Sequence, residues 1–355
     1  MEHTTEAAEY KVLVVEDNLI NREIARDFLS TYKFGIWEAE SGFQAVKLVK
    51  EINFDMIFMD YLMPEMDGIK TAEKIRNECG ENGKNPVIIG LTASETEGCR
   101  EKFLQNGFQD FLLKPLMAEE LNQVLFRWVP REVLEKIPAD SFQGKGNAAG
   151  GFETGIEGID SEAVGKYHGD SLEDYKELLK LYVMDGKRKR MRLTELYEDK
   201  DYTRYEVEVH GLKSASANIG AMELSRKFKE QENAAGRGDK EYIAREFPEL
   251  ISSYEKQLEN IENYLKSQEV SERDLSLPKL DKSQVVLKLQ AALEQLLKFR
   301  SRDCLKEIQE LMQCNVQEEL RERLTEIEEQ LRLYEDSEAE QLLCRLLDWI
   351  VEEEL

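Results

Sequence analysis

The chain has 355 residues and carries 48 Lys and Arg against 73 Asp and Glu, a formal net charge of −25. This acidic balance argues against binding to nucleic acid or anionic lipid, since both need clustered cations. No apolar run approaches the roughly 20 residues of a membrane-spanning helix, so we expect no direct membrane insertion. Five scattered cysteines without a CxxC pair predict a reducing, cytoplasmic environment.

The first third of the chain alternates strand and helix patterns. The predicted strands are 11–15, 34–38, 55–59, 87–91 and 109–113, and the predicted helices are 19–31, 43–52, 69–78, 95–106 and 118–128. Nearly continuous apolar strands are typical of a parallel sheet covered by helices. We therefore predict a disordered tail over 1–9, and a doubly wound α/β domain over 10–130 with a five-stranded parallel sheet and a flavodoxin-like fold.

The remaining chain is helical, with two interruptions. Six glycines in 131–158 predict a flexible linker, and the polar stretch 269–280 predicts a second one. Between them, 159–268 has helical periodicity throughout. The tail 281–355 repeats with a period of 35, so that Leu289 corresponds to Leu324 and Leu296 to Leu331. Two hairpins predict a small helical bundle that could also mediate homo-oligomerisation or partner docking.

Polar residues follow the predicted strands of the first domain. Glu16 and Asp17 follow the first strand, Asp60 the third, Thr92 the fourth and Lys114 the fifth. Ligands collect at the carboxyl ends of parallel strands. Three acids meeting there repel one another, and Mg²⁺ relieves the repulsion. A central carboxylate such as Asp60 can attack phosphorus, with Lys114 and Thr92 stabilising the phosphoryl oxygens.

The motifs VVEDN (14–18), DYLMPEMDG (60–68), LTAS (91–94) and FLLKP (111–115) resemble the receiver domain of two-component response regulators. The resemblance implies that Asp60 is the phosphoacceptor and Lys114 the phosphate-binding lysine. Thr92 and Phe111 would be the switch residues, although a strand aromatic such as Phe111 can equally be a core residue.

The same resemblance implies the magnesium ligands. Asp17, Asp60 and the backbone carbonyl of Leu62 would bind Mg²⁺ directly, and Glu16 largely through water. This chain has Glu16 where many members have Asp. It also has the apolar Leu62 at a position that tunes dephosphorylation, which leaves the phosphate lifetime open.

A second candidate site lies in the helical stretch 206–221. His210, Lys213, Ser214 and Ala217 have helical spacing and share one face, whereas Val209 and Leu212 point to the other. The spacing predicts an exposed imidazole with a cation one turn away, which suits phosphoryl transfer. Small residues on this face, among them Ser214, Ser216 and Ala217, would leave room for another protein.

The segment HGLKSASANIG (210–220) resembles the signature of histidine-containing phosphotransfer (HPt) domains, which implies a four-helix bundle over 159–268. His210 would carry the phosphoryl group and Lys213 would support it. Ser214 and Ala215 depart from the usual Gly and Ser, so a bundle that only docks is the alternative.

Together the two sites predict a phosphorelay intermediate without an ATP-binding kinase domain. Its partners would be an upstream sensor histidine kinase and a downstream response-regulator receiver. Whether the phosphoryl group passes from Asp60 to His210 within one chain is left open. Two alternatives are a phosphorylation-switched adaptor and the C-terminal portion of a hybrid sensor kinase.

Overall fold

The computed structural model describes residues 10–81, 85–92, 103–142, 153–168, 171–269, 280, 282–298, 300–314, 316, 318–333 and 335–352. The chain forms two compact units, Met1–Tyr264 and Leu265–Leu355. Among the described residues, no helix combines the length and apolar character needed to cross a bilayer.

The first unit begins with a five-stranded parallel sheet, as predicted. The strands are β1 (Lys11–Val15), β2 (Gly35–Ala39), β3 (Met56–Asp60), β4 (Val87–Thr92) and β5 (Asp110–Leu113). Their order is β2-β1-β3-β4-β5, so β1, β3 and β4 are central. All five residues of β3 are buried, which explains its unbroken apolar run before Asp60. Because the strands are parallel, their carboxyl ends lie at one edge.

Helices flank the sheet: α1 (Leu19–Ser30), α2 (Gly42–Glu51), α3 (Gly68–Glu81) and α4 (Ala118–Trp128). The predicted helix over 95–106 lies mostly outside the described residues. The Asn18 side chain accepts hydrogen bonds from the backbone N–H groups of Ile20 and Asn21 and so caps α1 directly after the β1 acids.

Part of the predicted linker packs on the sheet domain. Residues 131–142 contain α5 (Arg131–Leu134) and a 3₁₀ turn (Ala139–Phe142). Ser141 Oγ donates a hydrogen bond to the Thr31 carbonyl at 2.7 Å, and the Phe142 ring stacks on Phe126 with centroids 4.8 Å apart. Residues 143–152, which include four of the six linker glycines, lie outside the described residues.

The rest of the first unit is helical. Its helices are α6 (Ser161–His168), α7 (Leu172–Glu198), α8 (Tyr202–Asn218), α9 (Met222–Gly236) and α10 (Lys240–Glu269), the last of which extends five residues beyond Tyr264. Buried tyrosines fill the space between them, and two of these tyrosines, Tyr175 and Tyr182, place their hydroxyls within hydrogen-bond distance of other groups of the bundle. Tyr175 donates to the Ile219 carbonyl at 2.8 Å, and the Tyr182 hydroxyl lies 2.9 Å from Ser216 Oγ. Ser216 therefore belongs to the core and not, as its sequence position suggested, to the docking face.

The second unit consists of two helical hairpins. Its helices are α11 (Lys282–Leu297), α12 (Ser301–Met312), α13 (Glu318–Arg332) and α14 (Asp336–Glu352). Equivalent positions of the 35-residue repeat, such as Ile308 and Leu343, are both fully buried in one shared core. Because α11 also packs on α14, the hairpins close on each other into a small bundle.

Replacing Leu343 with Ala in this core should lower the free energy of unfolding of the second unit by about 2–5 kcal/mol, because it leaves a cavity. The matched control is Leu287→Ala, at a side chain that is 68% exposed, with an expected change below about 0.5 kcal/mol. Hydrogen exchange of α14 peptides in the full chain measures both. An equal loss of protection in the two variants would contradict this packing.

Candidate functional site

Three carboxylates meet at the carboxyl edge of the sheet. Oxygens of Glu16, Asp17 and Asp60 lie within 4.8 Å of one another. Lys114, which follows β5, reaches into the group: its Nζ is 2.5 Å from Glu16 Oε2 and 2.8 Å from Asp60 Oδ1. Glu16 and Asp60 are each only 1% exposed, so these charges interact away from bulk water. The adjacency of β1 and β3 creates this cluster.

Burial and mutual repulsion dominate the electrostatics of the cluster. Burial and the neighbouring Glu16 raise the pKa of Asp60 well above its usual range, against the opposing charge of Lys114. Burial and Glu16 raise the pKa of Asp17 to about 7. Burial by itself would lower the pKa of Lys114, but Asp60 and Glu16 outweigh it and raise that pKa. One ammonium therefore does not balance three acids.

The cluster fits a divalent cation. Asp60 Oδ2 is buried and makes no hydrogen bond to any residue that the structure describes. Carboxylate oxygens are the donors that Mg²⁺ prefers, and the excess negative charge is of the right sign. An acidic cluster suited to a hard cation is thus present, with Glu16, Asp17 and Asp60 as its side chains.

The other residues expected at this edge are also in place. Thr92 ends β4 and is buried, and its carbonyl accepts a hydrogen bond from the Lys114 backbone N–H at 2.7 Å. The Lys114–Pro115 peptide bond is cis. Phe111 is partly buried against the sheet core, and its ring is stacked on Phe103 with centroids 6.2 Å apart. Leu62 lies two residues after Asp60, the last residue of β3.

His210 lies on α8 and differs from expectation in one respect. The spacing predicted an exposed imidazole, but the side chain is buried and the residue is 8% exposed. The reason is tertiary: α8 packs against α1 of the sheet domain. Lys114 lies within electrostatic range of both His210 and Lys213. The two candidate sites therefore face each other in one region of the first unit.

A carboxylate on the neighbouring helix orients the imidazole. Glu232 of α9 lies with Oε1 2.5 Å from His210 Nδ1, while its Oε2 accepts a hydrogen bond from Lys213 Nζ at 2.6 Å. Burial raises the pKa of Glu232, but the His210 hydrogen bond and the Lys213 charge outweigh this and lower it to about 2. An ionised Glu232 accepts a hydrogen bond from a protonated Nδ1. The unshared electron pair of the neutral ring is then on Nε2.

The second nitrogen of the His210 ring, Nε2, is left without a hydrogen bond to the part of the chain that the structure describes. Burial, together with Lys213 and Lys114, lowers the pKa of His210 and favours the neutral ring, although Glu232 opposes the shift. Nε2 is buried, and it has no hydrogen-bond partner among the residues described. A neutral imidazole with an unshared pair on Nε2 is the nucleophilic form.

Sequence reasoning missed Glu232, Asn21 and Lys189. Glu232 follows His210 by 22 positions on a different helix, so helical spacing carries no signal for it. Asn21 on α1 and Lys189 on α7 read as ordinary solvated residues in the sequence, and only the packing of α1 against the bundle brings them to the site.

Comparison with known proteins identifies the first domain. Residues 12–126 match the family described as "Response regulator receiver domain". This part of the chain is therefore a receiver domain of the two-component response regulators, and it has homologues within histidine kinases.

Two curated relatives and one solved structure illustrate the similarity. The probable C4-dicarboxylate response regulator DctR of Bacillus subtilis is 34% identical over 37% of this chain and 57% of its own length. The signal transduction histidine-protein kinase BarA of Escherichia coli is 37% identical over 34% of this chain. The match spans 13% of BarA, so this chain covers only part of these relatives.

The solved structure is a co-crystal of the Saccharomyces cerevisiae histidine phosphotransfer signalling protein Ypd1 with the receiver domain of its downstream response regulator Ssk1. It is 34% identical over 38% of this chain and 97% of the matched chain, with a TM-score of 0.34.

The Glu232 contact makes a prediction for NMR. In the full chain, His210 should be the Nδ1–H tautomer at neutral pH and should titrate with a midpoint below 6.5, because burial disfavours the charged ring. Glu232→Ala should allow both tautomers and lower the midpoint further, because it removes a group that stabilises the charged form. Long-range ¹H–¹⁵N spectra measure both quantities.

The control is Glu230→Ala on the same helix, where the carboxylate binds Arg226 and Tyr242 instead. It should leave the His210 signals unchanged. A wild-type ring that already mixes both tautomers would contradict the role assigned to Glu232.

Proposed function

We propose that the chain is a phosphorelay intermediate that accepts a phosphoryl group on Asp60 and exchanges it with His210. The observation that carries this proposal is the His210 Nε2 atom, buried without a hydrogen-bond partner among the described residues, on the bundle face that packs against the receiver. A buried nitrogen without a hydrogen-bond partner costs stability, and such a cost is typical of a group that is kept for its chemistry.

The first step forms an aspartyl phosphate. An Asp60 carboxylate oxygen attacks the phosphorus of a donor, and the donor's bond to phosphorus breaks with its electron pair leaving on the donor. Lys114 offsets charge on the phosphoryl oxygens from its position 2.8 Å from Asp60, and the Thr92 hydroxyl supports them. Asp17, Asp60 and the Leu62 carbonyl, with Glu16 nearby, would hold Mg²⁺, which would supply the remaining charge neutralisation when bound.

The second step transfers the group to the imidazole. The Nε2 lone pair forms an N–P bond while the P–O bond to Asp60 breaks, and that bond's electron pair returns to the Asp60 carboxylate. No proton leaves the ring, because the Nδ1 proton stays in its hydrogen bond to Glu232. The ring gains positive charge, which the Glu232 carboxylate offsets, while Lys213 holds Glu232 in position.

The partners follow from this chemistry. The donor to Asp60 is a phosphohistidine of a sensor kinase, and the acceptor from His210 is the aspartate of another receiver. Phe111 and Thr92 would transmit phosphorylation of Asp60 to the receiver surface. The described cysteines Cys304, Cys314 and Cys344 are all free thiols, which suits a reducing cytoplasmic setting.

The match to a segment of BarA favours a second candidate, in which these domains are the C-terminal portion of a hybrid sensor kinase. The third candidate, a phosphorylation-switched adaptor, has the separate helical unit 265–355 in its favour, since such a unit can oligomerise or dock. Both candidates keep Asp60 as the phosphoacceptor. Only the adaptor would function without phosphorylation of His210.

Labelling with a small phosphodonor and Mg²⁺ tests the proposal. Wild-type protein should accumulate both the acid-stable aspartyl phosphate and the acid-labile phosphohistidine. Asp60→Ala should lose the acid-stable label and, with it, the supply to His210. His210→Gln should keep the Asp60 label but stop delivery to a second receiver, because the carrier nitrogen is missing.

The control is His168→Gln at the end of α6, which should behave like the wild type. Delivery of the phosphoryl group to a second receiver by His210→Gln would contradict the relay proposal. An Asp60 label without any phosphohistidine, accompanied by a change in oligomeric state, would favour the adaptor.

A further inference from the structure

Helix α1 of the receiver is buried on more than one face. Ile20, Ile24 and Phe28 form one apolar stripe, and a surface helix normally buries only one such stripe. Here the polar Asn21 and Arg22 are buried as well. Helices α7 and α8 of the same chain pack against α1. The second buried surface of α1 is thus covered by the bundle.

A chain of polar contacts links the bundle to the acidic cluster. Asn218 Nδ2, at the end of α8, donates a hydrogen bond to Asn21 Oδ1 at 2.9 Å. Asn21 Nδ2 in turn donates to Glu16 Oε1 at 3.1 Å, and Glu16 is paired with Lys114, which also binds Asp60. Both asparagines are buried, so losing either partner leaves an unpaired amide in the interface.

The two surfaces fit closely beside His210. A Cβ atom added at Gly211 would lie 3.2 Å from Asn18 Nδ2, so glycine permits the backbone of α8 to approach the cap of α1. The cavity that Glu16, Lys114 and Asn218 help to line measures about 10 Å³, room for roughly one water molecule. The interface is therefore nearly closed at the site.

Two pairs of opposite charge face each other across the interface, although Glu208 of α8 is also within electrostatic range of Asp17. Lys189 of α7 lies within electrostatic range of Asp17, while it pairs with Glu208 at 2.9 Å. Asp185 of α7 lies within range of Arg22 on α1. Opposite charges placed in this way favour one docking register over others.

We propose that the protein partner of the α1 face is the helical bundle of the same chain, so that Asp60 and His210 exchange the phosphoryl group within one molecule. This inference rests on the proposed function. The N–P bond forms at His210 Nε2 as the P–O bond to Asp60 breaks, without a second chain. Asn21 and Asn218 are positioning residues that hold this arrangement.

The arrangement also orders the relay. Because the docked His210 is 8% exposed, another protein reaches its ring only after the bundle leaves α1. Internal exchange and exchange with other proteins therefore exclude each other, because both use the same surface of α1. A kinase or receiver that binds α1 competes with the bundle.

The test is the kinetic order of transfer in the full chain. Asp60 is charged with acetyl phosphate and Mg²⁺, and phosphohistidine is followed over a roughly hundredfold range of protein concentration. Internal exchange predicts a first-order rate constant that does not change with protein concentration, because Asp60 and His210 belong to the same molecule. Tethering holds the two domains at an effective concentration of about 1 mM. The rate of phosphohistidine formation is divided by the amount of phosphorylated Asp60.

A mixture of two variants measures exchange between chains. His210→Gln supplies phosphorylated Asp60, and Asp60→Ala supplies His210. At about 10 µM of each, transfer should be on the order of 100-fold slower than in the wild type and should rise with concentration. A mixture as fast as the wild type, or a wild-type rate proportional to concentration, overturns internal exchange but leaves the phosphorelay intact.

Interface variants test the positioning role. Gly211→Leu places a side chain against Asn18, and Asn218→Ala removes the hydrogen bond to Asn21. Each should slow transfer at least about tenfold and make it concentration-dependent, a change that loss of stability would not produce. Asn233→Ala, at an exposed site on α9, should keep first-order kinetics.

Hydrogen exchange of α1 provides a readout that needs no phosphoryl transfer. The α1 amides should be protected in the wild type and in Asn233→Ala, and less protected in Gly211→Leu. Equal protection in all three overturns the docking. Phosphohistidine absent from both the wild type and the variant mixture overturns the proposed function and this inference together.

Discussion

The properties of the candidate site depend on the repulsion among three carboxylates at one edge of the sheet. Glu16, Asp17 and Asp60 are brought together because β1 and β3 are adjacent and parallel, and Lys114 offsets only part of their charge. The remaining negative charge suits the cluster to a divalent cation, because a hard cation relieves the repulsion among carboxylates. Each of these properties follows from placing acids where water cannot screen them.

The same cluster organises the interface with the bundle. Glu16 accepts a hydrogen bond from Asn21, and Asn21 accepts one from Asn218, so two successive hydrogen bonds connect the buried acid to the bundle. The positive Lys189 faces the surplus acid charge near Asp17, and Gly211 allows the α8 backbone to come close. Docking thus satisfies polar groups that an isolated receiver would leave to solvent.

At the His210 site, one carboxylate has two roles. Glu232 accepts from both His210 and Lys213, so one carboxylate orients the ring and holds the neighbouring cation. The lysine that was expected to offset charge directly instead acts through Glu232. The second unit is separate in architecture, because its two hairpins share a core of their own.

The sequence by itself determined the parallel sheet, the helical remainder and the acids at the strand ends, because short continuous apolar runs and apolar stripes with period 3.6 are local signals. It also indicated Asp60, Lys114 and His210, whose motifs are short and contiguous. Only the tertiary structure decided that His210 is covered, that Ser216 is core, and that Glu232 and Asn21 belong to the site. Those facts depend on which helix faces meet, and contacts between residues far apart in the chain leave no periodic trace in either segment.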